Sequence, residues 1–273
     1  MLTFGRQLDV GIKRKGKPNQ DALAIVNPRS AQPLLIIADG MGGYEGGAVA
    51  SQIVIDTLRK AYKQRKRKKT DRPGLLSEAI LAAHRVIVAR AQKSENLASM
   101  GSTVVAAAID EKNDKALVVN VGDSRAYLIT KQAIQVVSHD HSEVADLERT
   151  GALTALQARD YRRKNVLTMS LTASRPENTI QPYSDMVNFP PGAVLLLCSD
   201  GLWGVVPGSV IQAMALEYPP QKAAQKLVEL ANASGGPDNI SVLIARRRGE
   251  WCQYKRENSV DMEDTFSGVK KDE

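Results

Sequence analysis

Five aspartates at the ends of apolar segments are the residues of this sequence best suited to chemistry. They are Asp21, Asp39, Asp123, Asp200 and Asp238, and the middle three each have a glycine as a chain neighbour. Carboxylates held at buried strand ends cost desolvation energy unless positive charge meets them. Oxygen ligands alone select hard ions such as Mg²⁺ or Mn²⁺, and a neighbouring glycine lets a backbone carbonyl approach the ion closely. The pattern therefore indicates a divalent-metal site, although any single aspartate is also typical of a turn or a cap.

Histidine and cysteine offer no comparable site. The three histidines, His84, His139 and His141, do not form a zinc set, and we expect His84 at the surface of a helix. The two cysteines, Cys198 and Cys252, are too few for a disulfide framework or for a thiolate metal site. We expect Cys198 in the core, because it lies inside an apolar run. The cysteine content also favours a reducing, cytoplasmic setting.

Apolar runs predict the strands that must hold these aspartates. The run from 34 to 38 is continuous, which is typical of a strand buried on both faces. Further strands are predicted at 22–26, 104–109, 116–121, 126–129, 134–137, 194–198 and 240–245. Short, turn-like connectors between several of these runs indicate antiparallel pairing.

Apolar residues at helical spacing predict four helices. They cover 48–62, 75–91, 210–218 and 221–233. Pro73-Gly74 is expected to break the chain before the second helix, and the polar, arginine-containing segment 142–171 is expected to be a mobile insert. We therefore expect one α+β domain over residues 1–248, followed by a disordered acidic tail over residues 249–273.

Composition and charge exclude several classes of protein. The chain has 273 residues, of which 43% are hydrophobic and 25% charged, as in a globular protein. No apolar run is long enough for a membrane-spanning helix, and we expect no secretory signal. The net charge of +7 comes from one segment, Arg59–Arg72, with nine basic residues and one acidic residue. This weakens the case for a nucleic-acid-binding protein.

The basic run at 64–69 has three interpretations. It can be a solvated extension of the first helix, which is what most charge runs are. It can contact nucleic acid or an acidic partner, or it can serve as a nuclear import signal.

Seven short motifs occur in order along the chain. They are PNQDA at 18–22, ADGMGG at 38–43, GST at 101–103, NVGDSRAYL at 120–128, DHS at 140–142, LLCSDGLW at 196–203 and PDNIS at 237–241. Their order and spacing resemble the metal-dependent Ser/Thr protein phosphatases of the type 2C (PPM) family, in particular its bacterial members. The resemblance extends from residue 9 to residue 245.

The resemblance implies an α+β fold, a four-layer α-β-β-α sandwich with two central antiparallel sheets. It also implies a centre of two Mn²⁺ or Mg²⁺ ions at one end of the sandwich. In the family pattern, Asp39 bridges both ions, while the carbonyl of Gly40 and the carboxylates of Asp200 and Asp238 are further ligands. Two such cations lower the pKa of a bridging water. The resemblance implies that hydroxide formed from this water attacks phosphorus in line, without a covalent phosphoenzyme.

Two further aspartates receive roles from the same resemblance. Asp140, together with Asp200, would hold a third and weaker metal ion. Asp21 would orient water bound to the metals. By contrast, we expect Asp123 to brace a neighbouring strand through Arg125, and we expect a structural role for His141.

The sequence departs from the family pattern at three positions. Gln20 stands where many members have a glutamate, so the second ion would rely on Asp39, Gly40 and water. Gly16 stands where a phosphate-binding arginine usually lies. A short insertion could let Arg14 bind phosphate instead, since a guanidinium binds phosphate in a bidentate manner, or the charges around it are solvated. Met41 stands where some members have a histidine that acts as general acid.

Residues 142–171 correspond to the flap that borders the site in bacterial members. Its arginines suit phosphorylated, acidic substrates, or they form a solvated helix face. These residues are Arg149, Arg159, Arg162 and Arg163.

The resemblance thus implies an Mn²⁺- or Mg²⁺-dependent protein serine/threonine phosphatase. Its partners would be phosphorylated proteins, the substrates of a Ser/Thr kinase, with no membrane and with the enzyme as a monomer. An alternative is a catalytically weak phosphoprotein-binding module on the same fold. A nucleic-acid-binding protein that uses Arg59–Arg72 ranks last, because it leaves the aspartates unexplained.

Overall fold

Two antiparallel sheets form the centre of the molecule in this computed structural model, which describes residues 1–43, 45–64, 72–159 and 161–249. The first sheet contains, in spatial order, β1 (Leu2–Asp9), β12 (Ile240–Arg247), β11 (Val194–Cys198), β7 (Arg125–Ile129) and β8 (Ile134–Val136). The second contains β10 (Tyr183–Asn188), β6 (Lys115–Val121), β5 (Val104–Asp110), β3 (Leu34–Met41), β4 (Gly101–Ser102) and β9 (Leu171–Thr172). Strand β2 (Asp21–Val26) pairs with β3.

Helices cover the outer face of each sheet. The helices α1 (Gly46–Gln64) and α2 (Arg72–Ala91) pack on the second sheet. The helices α6 (Gly208–Glu217) and α7 (Pro220–Ala233) pack on the first sheet. The expected four-layer α-β-β-α sandwich is therefore confirmed. None of the described helices is long and apolar enough to cross a membrane.

Strand β3 shows why a continuous apolar run suits this architecture. Successive side chains of a strand point to opposite faces, and here each face meets a different core. Leu34 and Ile36 pack with the helices α1 and α2. Leu35 and Ile37 pack between the sheets, in a cluster that includes Leu195 of β11. Both faces are thus buried, so no polar alternation appears in the sequence.

Two local expectations were wrong. Pro73-Gly74 does not break the chain, because α2 begins at Arg72 and proline is tolerated in a first helical turn. His84 is not at the surface but 1% exposed. The segment that ends the flap covers it, and its Nε2 lies 3.0 Å from the carbonyl oxygen of Thr172 in β9.

Two edge strands, β1 and β10, were not predicted. Each pairs along its length with only one neighbour, β12 or β6. Their exposed sides admit polar residues, so their sequences, LTFGRQLD and YSDMVN, lack a continuous apolar run. The burial of Cys198 is confirmed, since it is fully enclosed in the core of the first sheet.

The flap, residues 142–171, contains two short helices, α3 (Glu143–Arg149) and α4 (Ala155–Arg159). Ser142 caps α3, because its hydroxyl accepts a hydrogen bond from the backbone N–H of Ala145. A single antiparallel bridge joins Ser142 to Leu167 and closes the flap at its base. The expectations about the basic run and about the acidic tail concern residues 65–69 and 250–273, which lie outside the described residues.

Candidate metal centre

A cleft of about 460 Å³ lies at one end of the sandwich, where aspartates from both sheets meet. We call it the aspartate cleft. Asp39 and Gly40 reach it from β3 of the second sheet, and Asp200 and Asp238 reach it from the ends of β11 and β12 in the first sheet. The fold therefore brings together the four residues to which the resemblance gave ligand roles for two ions.

Backbone hydrogen bonds fix Asp39 and Gly40. The carbonyl oxygen of Asp39 accepts hydrogen bonds from the N–H of Thr103 at 2.8 Å and from the hydroxyl of Ser102 at 3.1 Å. The N–H of Gly40 donates to the carbonyl oxygen of Gln20 at 3.1 Å. A Cβ atom at position 40 would lie 2.0 Å from the carbonyl oxygen of Gly47. Only glycine fits there, because two backbone segments approach each other closely.

The two aspartates of the first sheet lie just beyond the neighbouring ends of two adjacent strands, β11 and β12. Asp200 is the first residue of the short helix α5 (Asp200–Trp203), directly after Ser199. Asp238 precedes β12, and its Oδ1 accepts a hydrogen bond from the N–H of Asn239 at 2.8 Å. Its Oδ2 accepts a hydrogen bond from Nη2 of Arg14 at 2.7 Å. Arg14 thus lines the cleft, at the end of a 3₁₀ turn, as the proposed substitute for the usual arginine requires.

Asp21 lies beneath these residues and does not line the cleft. It is 5% exposed and directly opposite Asp39 in the β2–β3 ladder. Its Oδ2 accepts a hydrogen bond from the hydroxyl of Ser199 at 2.6 Å. Its Oδ1 is buried without a hydrogen-bond partner.

The electrostatics of the cleft favour bound cations. Burial raises the pKa of Asp39 well above its usual value, and the nearby Asp21 and Asp200 raise it further. Burial raises the pKa of Asp200 to about 6, and the charge of Asp238 adds to this shift. Burial likewise raises the pKa of Asp123 to about 8, with Asp200 as the next cause. The charged form of each of these three carboxylates is therefore disfavoured, and a bound metal ion would stabilise it.

The donor set fits hard divalent ions. Asp39, Asp200 and Asp238 face the cleft from strand ends, and Oδ1 of Asp200 is buried without a hydrogen-bond partner. Such oxygens are the ligands that Mg²⁺ and Mn²⁺ prefer. In the described part of the chain, no group of three or more His, Cys, Asp or Glu side chains is placed so that it could hold a metal ion by itself. The fit of divalent ions to the cleft thus rests on the oxygen chemistry of its carboxylates and on the unpartnered Oδ1 of Asp200.

The structure overturns one expectation about Arg125. Its guanidinium does not brace a strand through Asp123 but binds Asp140, with Nε at 2.8 Å and Nη2 at 2.7 Å from Oδ2. Asp123 instead lines the cleft, and its carbonyl oxygen accepts a hydrogen bond from the indole N–H of Trp203. The sequence alone could not show which of the two aspartates, Asp123 or Asp140, pairs with Arg125.

Asp140, the candidate ligand of a third ion, does not line the aspartate cleft. Arg125 binds one of its oxygens, and the other, Oδ1, is buried without a partner. The neighbouring His141 is buried, and its Nδ1 lies 3.2 Å from the N–H of Gly122. Burial lowers the pKa of His141. This environment agrees with the structural role expected for that ring.

Gln20 and Met41, two of the positions that depart from the family pattern, both line the cleft. The amide Nε2 of Gln20 donates a hydrogen bond to the carbonyl oxygen of Gly43 at 2.5 Å. Gln20 therefore holds the glycine-rich turn that follows Asp39.

The flap contributes two residues to the cleft that sequence reasoning did not identify, Asn165 and Leu167. Neither residue type signals a function, so only the fold reveals them. Glu143 holds this part of the flap. Its Oε1 accepts a hydrogen bond from the hydroxyl of Tyr161 at 2.6 Å, and its Oε2 lies 2.8 Å from Nη2 of Arg163.

None of the flap arginines whose side chains are described, Arg149, Arg162 and Arg163, lines the cleft. Arg149 pairs with Asp146 inside α3, and Arg162 lies at a separate shallow cavity beside the exposed Leu156. The side chain of Arg159 lies outside the described part of the structure.

Comparison with known proteins gives a consistent result. A sequence profile described as Protein phosphatase 2C matches residues 11–239. The chain is 33% identical to the serine/threonine phosphatase stp of Listeria innocua over 232 residues, which cover 84% of this chain and 90% of the relative. Its fold is similar to that of the serine/threonine phosphatase of S. agalactiae, with a TM-score of 0.82 at 28% identity over 91% of this chain and 100% of the other. It is also similar to the catalytic domain of the serine/threonine protein phosphatase PstP in complex with two manganese ions. That TM-score is 0.78 at 29% identity, over 91% of this chain and 99% of the other.

Proposed function

Because the chain belongs to the protein phosphatase 2C family, we propose that it removes phosphate from phosphoserine and phosphothreonine of proteins at the aspartate cleft. It is a metal-dependent serine/threonine phosphoprotein phosphatase of bacterial type.

One observation carries the assignment of the site. Asp39 and Asp200, from different sheets, converge on one cleft with raised pKa values, and Oδ1 of Asp200 is buried without a protein partner. Asp39, the carbonyl of Gly40, Asp200 and Asp238 would hold two Mn²⁺ or Mg²⁺ ions. Asp21, whose free Oδ1 lies behind Asp39, would orient water. Asp140 does not line the cleft and its Oδ2 is paired with Arg125, so it would hold a third ion together with Asp200 through its unpartnered Oδ1.

The ions would lower the pKa of water and offset negative charge on the phosphoryl oxygens. Arg14 would hold the phosphoryl group, since a guanidinium matches two phosphate oxygens at once. Its contact with Asp238 keeps that guanidinium at the cleft. No cysteine or histidine of the described residues lines the cleft. This supports hydrolysis by in-line attack of water, without a phosphoenzyme.

We propose that residues 1–248 form the catalytic domain and that the flap, 142–171, contacts the phosphoprotein. The partners would be proteins phosphorylated by a Ser/Thr kinase, and the enzyme would act as a monomer. The alternative, a binding module without turnover, is not favoured, because the relatives are named as phosphatases.

The test is hydrolysis of p-nitrophenyl phosphate in MnCl₂, with and without EDTA. Asp39→Asn and Asp238→Asn are compared with Asp185→Asn, a control on the exposed edge strand β10. We expect metal-dependent turnover that both cleft variants lose and the control retains. Folded wild-type protein without turnover in any metal would overturn the proposal, and phosphopeptide binding by that protein would support the binding module.

A further inference from the structure

The proposed metal centre draws its ligands from two different sheets, so something must fix the distance between them. Asp39 and Gly40 belong to the second sheet, whereas Asp200 and Asp238 extend from the first. Backbone ladders set positions within each sheet only. An error of about 1 Å between the halves would spoil the geometry that a metal ion demands.

At this end, the residues next to Asp200 and Asp238 reach from the first sheet to the second, in addition to the Thr103–Ser124 hydroxyl contact at 2.8 Å. Ser199 donates its hydroxyl hydrogen to Oδ2 of Asp21 at 2.6 Å. Oδ1 of Asn239 accepts a hydrogen bond from the N–H of Gln20 at 2.8 Å. Ser199 directly precedes Asp200, and Asn239 directly follows Asp238. Each metal-facing aspartate of the first sheet thus has a chain neighbour bonded to the dipeptide Gln20–Asp21.

The same dipeptide is joined to the other half of the centre. Asp21 lies opposite Asp39 in the β2–β3 ladder. The carbonyl oxygen of Gln20 accepts the N–H of Gly40 at 3.1 Å. Gln20–Asp21 therefore stands between the two pairs of ligands and is bonded to both.

The hydrogen-bonding capacity of Ser199 shows that its hydroxyl is oriented. A serine hydroxyl donates one hydrogen bond and accepts two. Ser199 Oγ accepts from the N–H and from the hydroxyl of Ser241, both at 3.0 Å. Its own hydrogen goes to Oδ2 of Asp21 at 2.6 Å, because the other acceptor, the carbonyl oxygen of Asn239, is farther away at 3.5 Å. Ser199 and Ser241 are both 0% exposed, so water does not compete for this hydrogen.

The side-chain amide of Asn239 is likewise fixed by hydrogen bonds at both its nitrogen and its oxygen. Its Nδ2 donates to the carbonyl oxygen of Val10, which follows β1, at 2.8 Å. Its Oδ1 therefore faces Gln20 in a fixed orientation. Asn239 is 3% exposed.

We infer that Ser199 and Asn239 are positioning residues that set the separation between the two halves of the metal centre. This inference rests on the proposed function, because it assumes that the aspartates bind metal. It differs from a purely structural role, which would lower the stability of the sandwich without changing the affinity of the folded protein for metal.

The test is a calorimetric titration of the full chain with MnCl₂, combined with thermal unfolding. The variants are Ser199→Ala and Asn239→Ala. The control is Ser51→Ala, which removes a buried serine hydroxyl that bonds only within helix α1. We expect the Mn²⁺ dissociation constant of each bridge variant to rise about tenfold to a hundredfold, at temperatures where the protein is folded. The control should bind Mn²⁺ as the wild type does.

A wild-type dissociation constant in either folded bridge variant overturns the assignment for that residue. If Ser199→Ala does not fold, Asn239→Ala decides alone. Failure of the proposed function is recognised separately. In that case wild-type protein binds Mn²⁺ and the bridge variants bind it weakly, yet the wild type does not hydrolyse p-nitrophenyl phosphate.

Discussion

The aspartate cleft has two walls that are held in place by different means. The wall formed by the sandwich takes its shape from paired strands and from buried hydrogen bonds such as Ser199–Asp21. The wall formed by the flap depends on partly exposed contacts around Glu143, and its partner Arg163 is 64% exposed. Buried, satisfied bonds define a single geometry, whereas exposed ion pairs contribute little and are screened by salt.

This difference indicates that the two walls have different functions. Chemistry on phosphate requires fixed atoms, and the sandwich supplies them. Recognition of many phosphoproteins requires a surface that adapts, and the flap supplies Asn165 and Leu167 on such a surface. Changes in the sandwich wall should therefore affect every substrate, and changes in the flap should affect peptides alone.

The largest effect is expected from Asp200→Asn in the sandwich wall. It removes a charge from the proposed metal site while keeping the side-chain shape. We expect kcat to fall about a hundredfold to a thousandfold, for p-nitrophenyl phosphate and for phosphopeptides alike. Steady-state kinetics at saturating MnCl₂ measures this. A loss confined to peptides would contradict the division between the walls.

A second effect concerns stability without metal. Burial raises the pKa of Asp21 to about 7 and that of Asp200 to about 6. The unfolded state loses these protons near its pKa of 3.8, whereas the folded state holds them until the pH reaches about 6 to 7, so the free energy of unfolding falls as the pH rises from about 4 to about 7. In EDTA, we expect the melting temperature to fall over this range, and we expect MnCl₂ to reverse the fall.

Thermal unfolding of Asp21→Asn in EDTA checks the origin of this pH dependence. The variant should show a weaker decrease of melting temperature with pH. Glu143→Gln, a flap variant, should retain the wild-type decrease. Equal slopes for wild type and Asp21→Asn would disprove the explanation.

A third effect is expected from Arg14→Ala. The change removes the guanidinium that lines the cleft beside Asp238. Because a hydrogen bond to a charged group contributes about 1.5–3 kcal/mol, kcat/KM should fall about tenfold to a hundredfold. Arg14→Lys should recover only part of it, since an ammonium group lacks the planar fork. Kinetics with p-nitrophenyl phosphate would refute the assignment if Arg14→Ala behaved as the wild type.

The smallest effect is expected from Glu143→Gln in the flap wall. The change breaks the ion pair with Arg163 but keeps an oxygen that can accept from Tyr161. An exposed ion pair contributes about 0.2–1 kcal/mol, so KM for a phosphopeptide should change about twofold to fivefold. The kcat for p-nitrophenyl phosphate should not change.

Asp146→Asn is the matched control for that variant. It breaks an exposed pair with Arg149 inside α3 and does not touch the part of the flap that lines the cleft. Peptide kinetics should be unaffected by it. A change in the small-substrate kcat of Glu143→Gln would show that the flap takes part in the chemistry.

The sequence predicted the sandwich wall far better than the flap wall. Asp39, Asp200 and Asp238 were identified because aspartate at the end of an apolar run is a local pattern. Because the strand ends that carry them meet at one end of the sandwich, these aspartates lie close together in the fold. Asn165 and Leu167 carry no local signal, and their place in the cleft depends on contacts between separated flap residues, such as the bridge between Ser142 and Leu167.

The errors have the same physical origin. His84 was expected at the surface because helical spacing alone does not show that a strand, β9, covers it. Arg125 was assigned to Asp123 because sequence proximity was taken for contact, whereas the fold brings Asp140 to its guanidinium. Interactions between distant segments decided both cases.

Trp203 gives this protein an intrinsic optical reporter. Its indole N–H is bonded to the carbonyl oxygen of Asp123, and the guanidinium of Arg125 lies 3.6 Å from the centre of its ring. The chain has two tryptophans, Trp203 and Trp251. In a Trp251→Phe background, emission would come from a single indole beside the aspartates. Its intensity during a titration with MnCl₂ would follow the arrival of metal without any attached dye.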